Sequence, residues 1–162
     1  MRPPLHIILL VLDDFGYGDI NSTFDDPPGA SPLSTPFLSE LFLSPNSQSI
    51  NLRSYPQCTP SRASLLTGKS AEKEGLSHYV LVNGQDLAVS NPLLPAMLPP
   101  EFESHLVGKW HLGHARESYI PTSKGFDSFS GYFLGSTDFF SHTNDEVCCC
   151  GQECSPLRET KR

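Results

Sequence analysis

Residues 5–12, Leu-His-Ile-Ile-Leu-Leu-Val-Leu, are apolar throughout except for His6 and run straight into Asp13 and Asp14. An apolar run without alternation, in a stretch this short, is the pattern of a strand buried on both faces, which occurs where helices cover a parallel sheet. The expected fold class is therefore α/β, a mainly parallel sheet flanked by helices. The run is too short to cross a bilayer. It also makes a poor signal peptide, because no small-residue cleavage site follows and cleavage there would remove both aspartates. An export signal is expected to be absent from this chain or to lie upstream of it. Asp13 and Asp14 fall at the carboxyl end of the predicted strand, the edge of an open α/β sheet where ligands gather.

Beyond this strand, 15 prolines and 12 glycines cut the chain into short elements. The pattern predicts a surface loop over 21–36, a short helix from 35 or 36 to 42, and strands over 50–55 and 104–110. A helix over 58–68 follows the first of these strands, and another over 91–98 is interrupted by Pro95 and ended by Pro99 and Pro100. A length of 162 residues suffices for one ordinary domain with a core. A net charge of -7, without a basic cluster, disfavours a nucleic-acid partner.

The segment Cys58-Thr59-Pro60-Ser61-Arg62 carries the most chemistry. Pro60 suits a first helical turn, where an N–H would have no intrahelical partner, Thr59 is a plausible cap, and Gly68 supplies the stop. Cys58 then sits at the helix N-terminus, where the dipole favours an anion, with Arg62 about one turn on. Read alone, the segment is better taken as a capped helix with a buried thiol than as a nucleophile.

Neighbouring segments tip that balance. Residues 58–68 resemble the CxPSRxxLLTG signature of the type I sulfatases, in the arylsulfatase group. Residues 7–19 resemble that family's first strand and metal-binding aspartate pair. Residues 107–113, Val-Gly-Lys-Trp-His-Leu-Gly, resemble its GKWHLG motif, and residues 125–133 onward to Ser141 and His142 continue like the arylsulfatase B-like branch. Three ordered motifs are a specific signal. The resemblance implies the alkaline phosphatase/sulfatase-like fold. It covers roughly residues 5–142 and is weaker between 69 and 105.

What the resemblance implies is hydrolysis of sulfate esters on aryl groups or sulfated sugars. Cys58 would be oxidised to formylglycine by the formylglycine-generating enzyme, and the aldehyde hydrate would supply the nucleophile and later expel sulfate by regenerating C=O. Arg62 would anchor the hydrate. Lys109 and His111, two positions apart on an extended segment, would face the same way, Lys109 binding a sulfate oxygen and His111 exchanging the hydroxyl proton. Asp13, Asp14 and the modified residue 58 would hold a divalent ion, calcium by resemblance. Ser141 and His142 would touch the substrate. A phosphatase or phosphodiesterase of the same superfamily is the minor alternative, since those enzymes generally use Ser or Thr where CxPxR stands here.

Plainer readings accompany each assignment. Asp13 and Asp14 can be an exposed turn next to Gly16 and Gly18, Lys109 a solvated charge, and His111 a satisfied core histidine. His6, His78, His105 and His114 take structural roles. Residues 1–142 are expected to be the N-terminal part of a sulfatase catalytic domain, and 143–162 a Cys-rich tail unlike the family. In that tail Cys148, Cys149, Cys150 and Cys154 lack the second pair a metal cluster needs, so a disulfide, loose thiols or a non-native tail is the better reading. Asn21, Ser22 and Thr23 form a glycosylation sequon, consistent with a secreted or lysosomal glycoprotein. The family's second histidine, its Asp-Asn-Gly segment and a further lysine have no counterpart after His142. The alternative expectation is thus a truncated, inactive sulfatase-like fragment.

Overall fold

The computed structural model describes residues 5–16, 19, 34–48, 50, 52–78, 80–81, 85–90, 92–138 and 140, together with the backbone of Arg158–Lys161. The sequon at Asn21, the four cysteines after position 147, and Ser141 and His142 lie outside the described residues. The chain divides into two compact units, Met1–Arg53 and Ser54–Arg162.

In the first unit, helix α1 spans Pro36–Leu43. Pro36 opens it without sacrificing an intrahelical bond, and Ser39 closes the first turn by donating its N–H to the Thr35 carbonyl at 2.9 Å. The helix stops at Ser44, whose extended backbone is what a following proline, Pro45, enforces. Residues 5–12 depart from the sequence reading. They carry no strand assignment and are exposed, Ile8 at 89% and Leu10 at 75%. The physical reason lies within the unit itself: α1 is its one regular element of any length among the described residues, so the apolar run has no ladder partner there to satisfy its backbone.

The second unit holds the sheet. Strand β1, His105–Lys109, pairs in parallel with β2, Ser128–Tyr132, from His105 opposite Ser128 to Lys109 opposite Tyr132. Strand β3, Arg158–Lys161, pairs antiparallel with the other edge of β2. The order β1-β2-β3 makes β2 central. Backbone approach at the β1–β2 seam depends on glycine: a Cβ at Gly131 would lie 2.7 Å from the carbonyl carbon of Gly108 and 2.8 Å from its nitrogen. Between the two strands the chain crosses over through two 3₁₀ turns, Glu117–Tyr119 and Pro121–Lys124.

Helix α2, Cys58–Thr67, stops at Gly68 in the left-handed region, φ 67°. Thr59, Pro60, Ala63, Leu66 and Thr67 form its buried face. With Leu76, Leu93, Trp110, Leu112 and Phe129 this face makes the core, in which Trp110 meets Phe126 edge-on at 6.2 Å. Helix α3, Leu94–Met97, is a single turn in which Pro95 stands at the start and so opens the helix that it was expected to interrupt. The strand expected over 50–55 is not formed at its described positions; Leu52 is 84% exposed. Tyr55 instead supports α2, its carbonyl accepting from the Ser61 hydroxyl at 2.6 Å. The resulting architecture is α/β, helices packed against a sheet whose first pair is parallel.

Candidate active site

Helix α2 delivers Cys58 at its first turn, half-buried and as a free thiol. The cap is Gln57, not Thr59: Gln57 is extended, and its carbonyl accepts the Ser61 N–H at 3.2 Å. First-turn N–H groups have no intrahelical acceptor, so this end presents partial positive charge beside position 58.

Two hydrogen bonds fasten this helix end to the end of β1. Arg62 Nη1 donates to the Lys109 carbonyl at 2.8 Å. One turn earlier, the Thr59 hydroxyl donates to the His111 carbonyl at 3.1 Å, wholly buried. The first turns of α2, which carry position 58 and Arg62, are thereby joined to the Lys109 and His111 backbone at the carboxyl end of β1.

Lys109 is the last residue of β1 and is half-buried. The ladder continues two residues further, Trp110 N–H to the Tyr132 carbonyl at 2.9 Å and His111 N–H to the Phe133 carbonyl at 3.0 Å. At His111 the backbone leaves the extended region for φ 57°. The simple alternation expected for Lys109 and His111 therefore ends at Trp110, and the His111 side chain is directed by a turn and not by a pleat.

His111 is 2% exposed. Its Nε2 lies 2.7 Å from the Leu81 carbonyl, which can only accept, so Nε2 carries the hydrogen and Nδ1 the lone pair of the neutral ring. Gly135 packs on the imidazole face; a Cβ there would sit 2.8 Å from Cε1 and 3.1 Å from Nε2. Leu112 accepts the Val89 N–H at 3.2 Å, and Gly113 lies so close to residues 87 and 88 that a Cβ would meet the Leu87 oxygen at 2.6 Å. The Val89 carbonyl in turn accepts from buried Lys124 Nζ at 2.7 Å. Burial pushes the Lys124 ammonium below its ordinary value, while the Glu74 carboxylate pulls the other way.

Sequence reasoning passed over Thr59 as a network member, Leu81, Gly135 and Lys124. The detectable signals were modest: a hydroxyl beside the cysteine and a lysine before a glycine turn.

Asp13 and Asp14 belong to the first unit, where both are exposed and Asp14 adopts a left-handed φ of 56°. Their hard carboxylate oxygens suit calcium. The Cys58 thiol does not, being a soft donor until it is converted to an oxygen-bearing group. Among the described residues no three His, Cys, Asp or Glu side chains cluster. Two carboxylates are part of a calcium shell, not a complete one.

The family model described as Sulfatase matches residues 6–157. Mouse arylsulfatase J is 36% identical over 155 residues, covering 91% of this chain and 24% of that protein. Human N-acetylgalactosamine-6-sulfatase is 36% identical over 142 residues, covering 80% of this chain and 26% of the relative. A crystal structure of Ps i-CgsB in complex with k-i-k-neocarrahexaose superposes on 53% of this chain and 20% of its own, at TM-score 0.49 and 30% identity. The chain spans about a quarter of the length of the curated relatives it matches. It belongs to the sulfatase family.

Proposed function

We propose that this chain supplies the nucleophile-bearing part of a sulfuric ester hydrolase, acting on aryl sulfates or sulfated glycans. The observation that carries the reading is the double fastening of α2 to β1, Arg62 to the Lys109 carbonyl and Thr59 to the His111 carbonyl. Such an arrangement suits sulfate transfer because charge builds on the peripheral and leaving oxygens while an in-line nucleophile attacks. Lys109 and the α2 N-terminus bind and orient the anion, and Arg62 holds the group at position 58 against its backbone tie. His111 is the residue that takes and returns a proton, with its ring kept from rotating by Leu81 and Gly135.

Position 58 is read as formylglycine, made by the formylglycine-generating enzyme; it would provide a hydroxyl nucleophile and a route for sulfate departure by regenerating C=O. Asp13 and Asp14 would contribute hard oxygen ligands to a calcium ion, which supplies charge stabilisation for a bound oxygen. Ser141 and His142 are retained as substrate contacts by resemblance. The names of the relatives, arylsulfatase J and N-acetylgalactosamine-6-sulfatase, support both aryl and glycan sulfates as substrate classes. The sequon at Asn21 and the family resemblance favour a glycoprotein of the secretory pathway, lysosomal or extracellular. No helix among the described residues is long and apolar enough to cross a membrane.

The test is turnover by the full-length protein, produced with the converting enzyme, on an aryl sulfate and an aryl phosphate. Sulfate hydrolysis together with loss of the thiol mass at residue 58 is expected. Turnover of phosphate alone, or sulfate turnover with an unmodified thiol, would sink the reading.

A further inference from the structure

The Thr59 hydroxyl serves two backbones at once. It donates to the His111 carbonyl at 3.1 Å and accepts the Leu81 N–H at 3.2 Å, while the carbonyl of Leu81 accepts from His111 Nε2 at 2.7 Å. Thr59, Leu81 and His111 are respectively 0%, 3% and 2% exposed, so water does not compete for these bonds. The three residues close a ring of hydrogen bonds that begins one residue after position 58 and returns to the imidazole.

From this ring we infer that Thr59 is a positioning residue for the reaction. Its hydroxyl registers the nucleophile-bearing helix against the His111 backbone. Through Leu81 it also sets the carbonyl that selects the Nε2–H form of the ring, with the lone pair on Nδ1. A hydroxyl has one hydrogen to donate and lone pairs to accept with, so a single Thr or Ser satisfies both contacts. Valine has nearly the same shape and satisfies neither, leaving a buried carbonyl and a buried N–H without this partner. The inference rests on the sulfatase reading for its kinetic consequence, but its structural content stands on the hydrogen bonds alone.

The experiment compares the full-length protein with Thr59→Ser and Thr59→Val. Conversion of residue 58 is quantified by peptide mass, and kcat is expressed per converted site, because Thr59 lies inside the modified motif. The expected result is a loss of about 100-fold in kcat for Thr59→Val with little change in KM, and near-normal kcat for Thr59→Ser. Nitrogen-15 spectra of labelled histidine give a readout independent of turnover: His111 in the wild type and in Thr59→Ser should carry hydrogen on Nε2, and Thr59→Val should lose that single tautomer. Wild-type protein with hydrogen on Nδ1 overturns the inference even if the valine variant does not fold. So does Thr59→Val with unchanged kcat per converted site, or Thr59→Ser as impaired as Thr59→Val. If the wild type cleaves no sulfate ester, the functional reading fails by itself, and the tautomer measurement still decides the role of Thr59.

Discussion

Arg62 reaches across from α2 to donate to the carbonyl of Lys109 at 2.8 Å, so two cationic residues 47 positions apart in sequence are held together by a backbone atom of one of them. Arg62 therefore fixes where the Lys109 strand end lies as well as adding charge to the site. Arg62→Met keeps much of the aliphatic packing and removes the donor. Leaving a part-buried carbonyl without this partner is expected to cost about 1–3 kcal/mol, measurable by denaturant unfolding. Sulfate ester turnover should fall much further than that stability change suggests. Equal, small losses in both would separate the guanidinium from the chemistry.

Gly135 tests the aim of the imidazole. Gly135→Ala would place a methyl 2.8 Å from His111 Cε1, and the ring, tied through Nε2 to Leu81, has little room to yield. We expect kcat to drop by about 100-fold, with a destabilisation of only about 1–3 kcal/mol. Unaltered kcat would mean that the ring position is not critical.

Gly131 tests the fold and not the site. An alanine there would run into Gly108 backbone atoms in the neighbouring strand, where neither partner is a flexible side chain. Destabilisation of about 3 kcal/mol is expected, read as a lowered denaturation midpoint with wild-type exposure of surface. A midpoint equal to that of the wild type would contradict the close approach of β1 and β2.

Glu74 gives the second unit an acid sensitivity. Burial raises its carboxyl pKa, but hydrogen bonds from the Ser90 hydroxyl and N–H and from Lys69 outweigh this, and the net position is below the ordinary 4.5. In the unfolded chain Glu74 takes up its proton first as pH falls. The stabilisation is therefore fully present above about 4.5 and drains away as pH drops through the lower, folded value. Glu74→Gln should flatten the dependence of stability on pH in that acid window and leave its shape near neutrality unchanged. An identical acid profile in both proteins would contradict the assignment.

Asp13 offers a metal test. Asp13→Asn in the full-length protein should weaken calcium binding by calorimetry, because a neutral amide replaces a hard anionic oxygen. Unchanged affinity would remove Asp13 from the proposed ligand set.

Legibility in the sequence tracked how local the deciding physics was. Pro36 and Gly68 announced helix α1 and the end of α2, and residues 104–110 announced β1, because caps, stops and apolar runs act within a few residues. Strand β2, with serine and glycine at three of its five positions, carries little apolar signal; β1 and β3 satisfy its backbone, and Phe129 is buried by the core that α2 and Leu112 share. Strand β3, Arg-Glu-Thr-Lys, looks like a solvated tail, although charged residues are common at a sheet edge. The apolar pattern of residues 5–12 was plain, yet pattern alone does not say which segment completes the ladder. The motifs named the candidate residues Cys58, Arg62, Lys109 and His111. The bonds from Thr59 to Leu81 and His111 were not legible, since they join segments 22 and 52 positions apart.

The turn at His111 narrows the alphabet more than any contact does. A positive φ at a residue other than glycine is tolerated best by asparagine, aspartate and histidine, and poorly by branched or bulky side chains. Of those few, histidine alone gains and loses a proton around neutrality. Backbone shape and the proposed acid–base role thus converge on one amino acid, so substitutions that relax the conformation would give up the proposed proton transfer, and those that mimic the ring's size strain the chain.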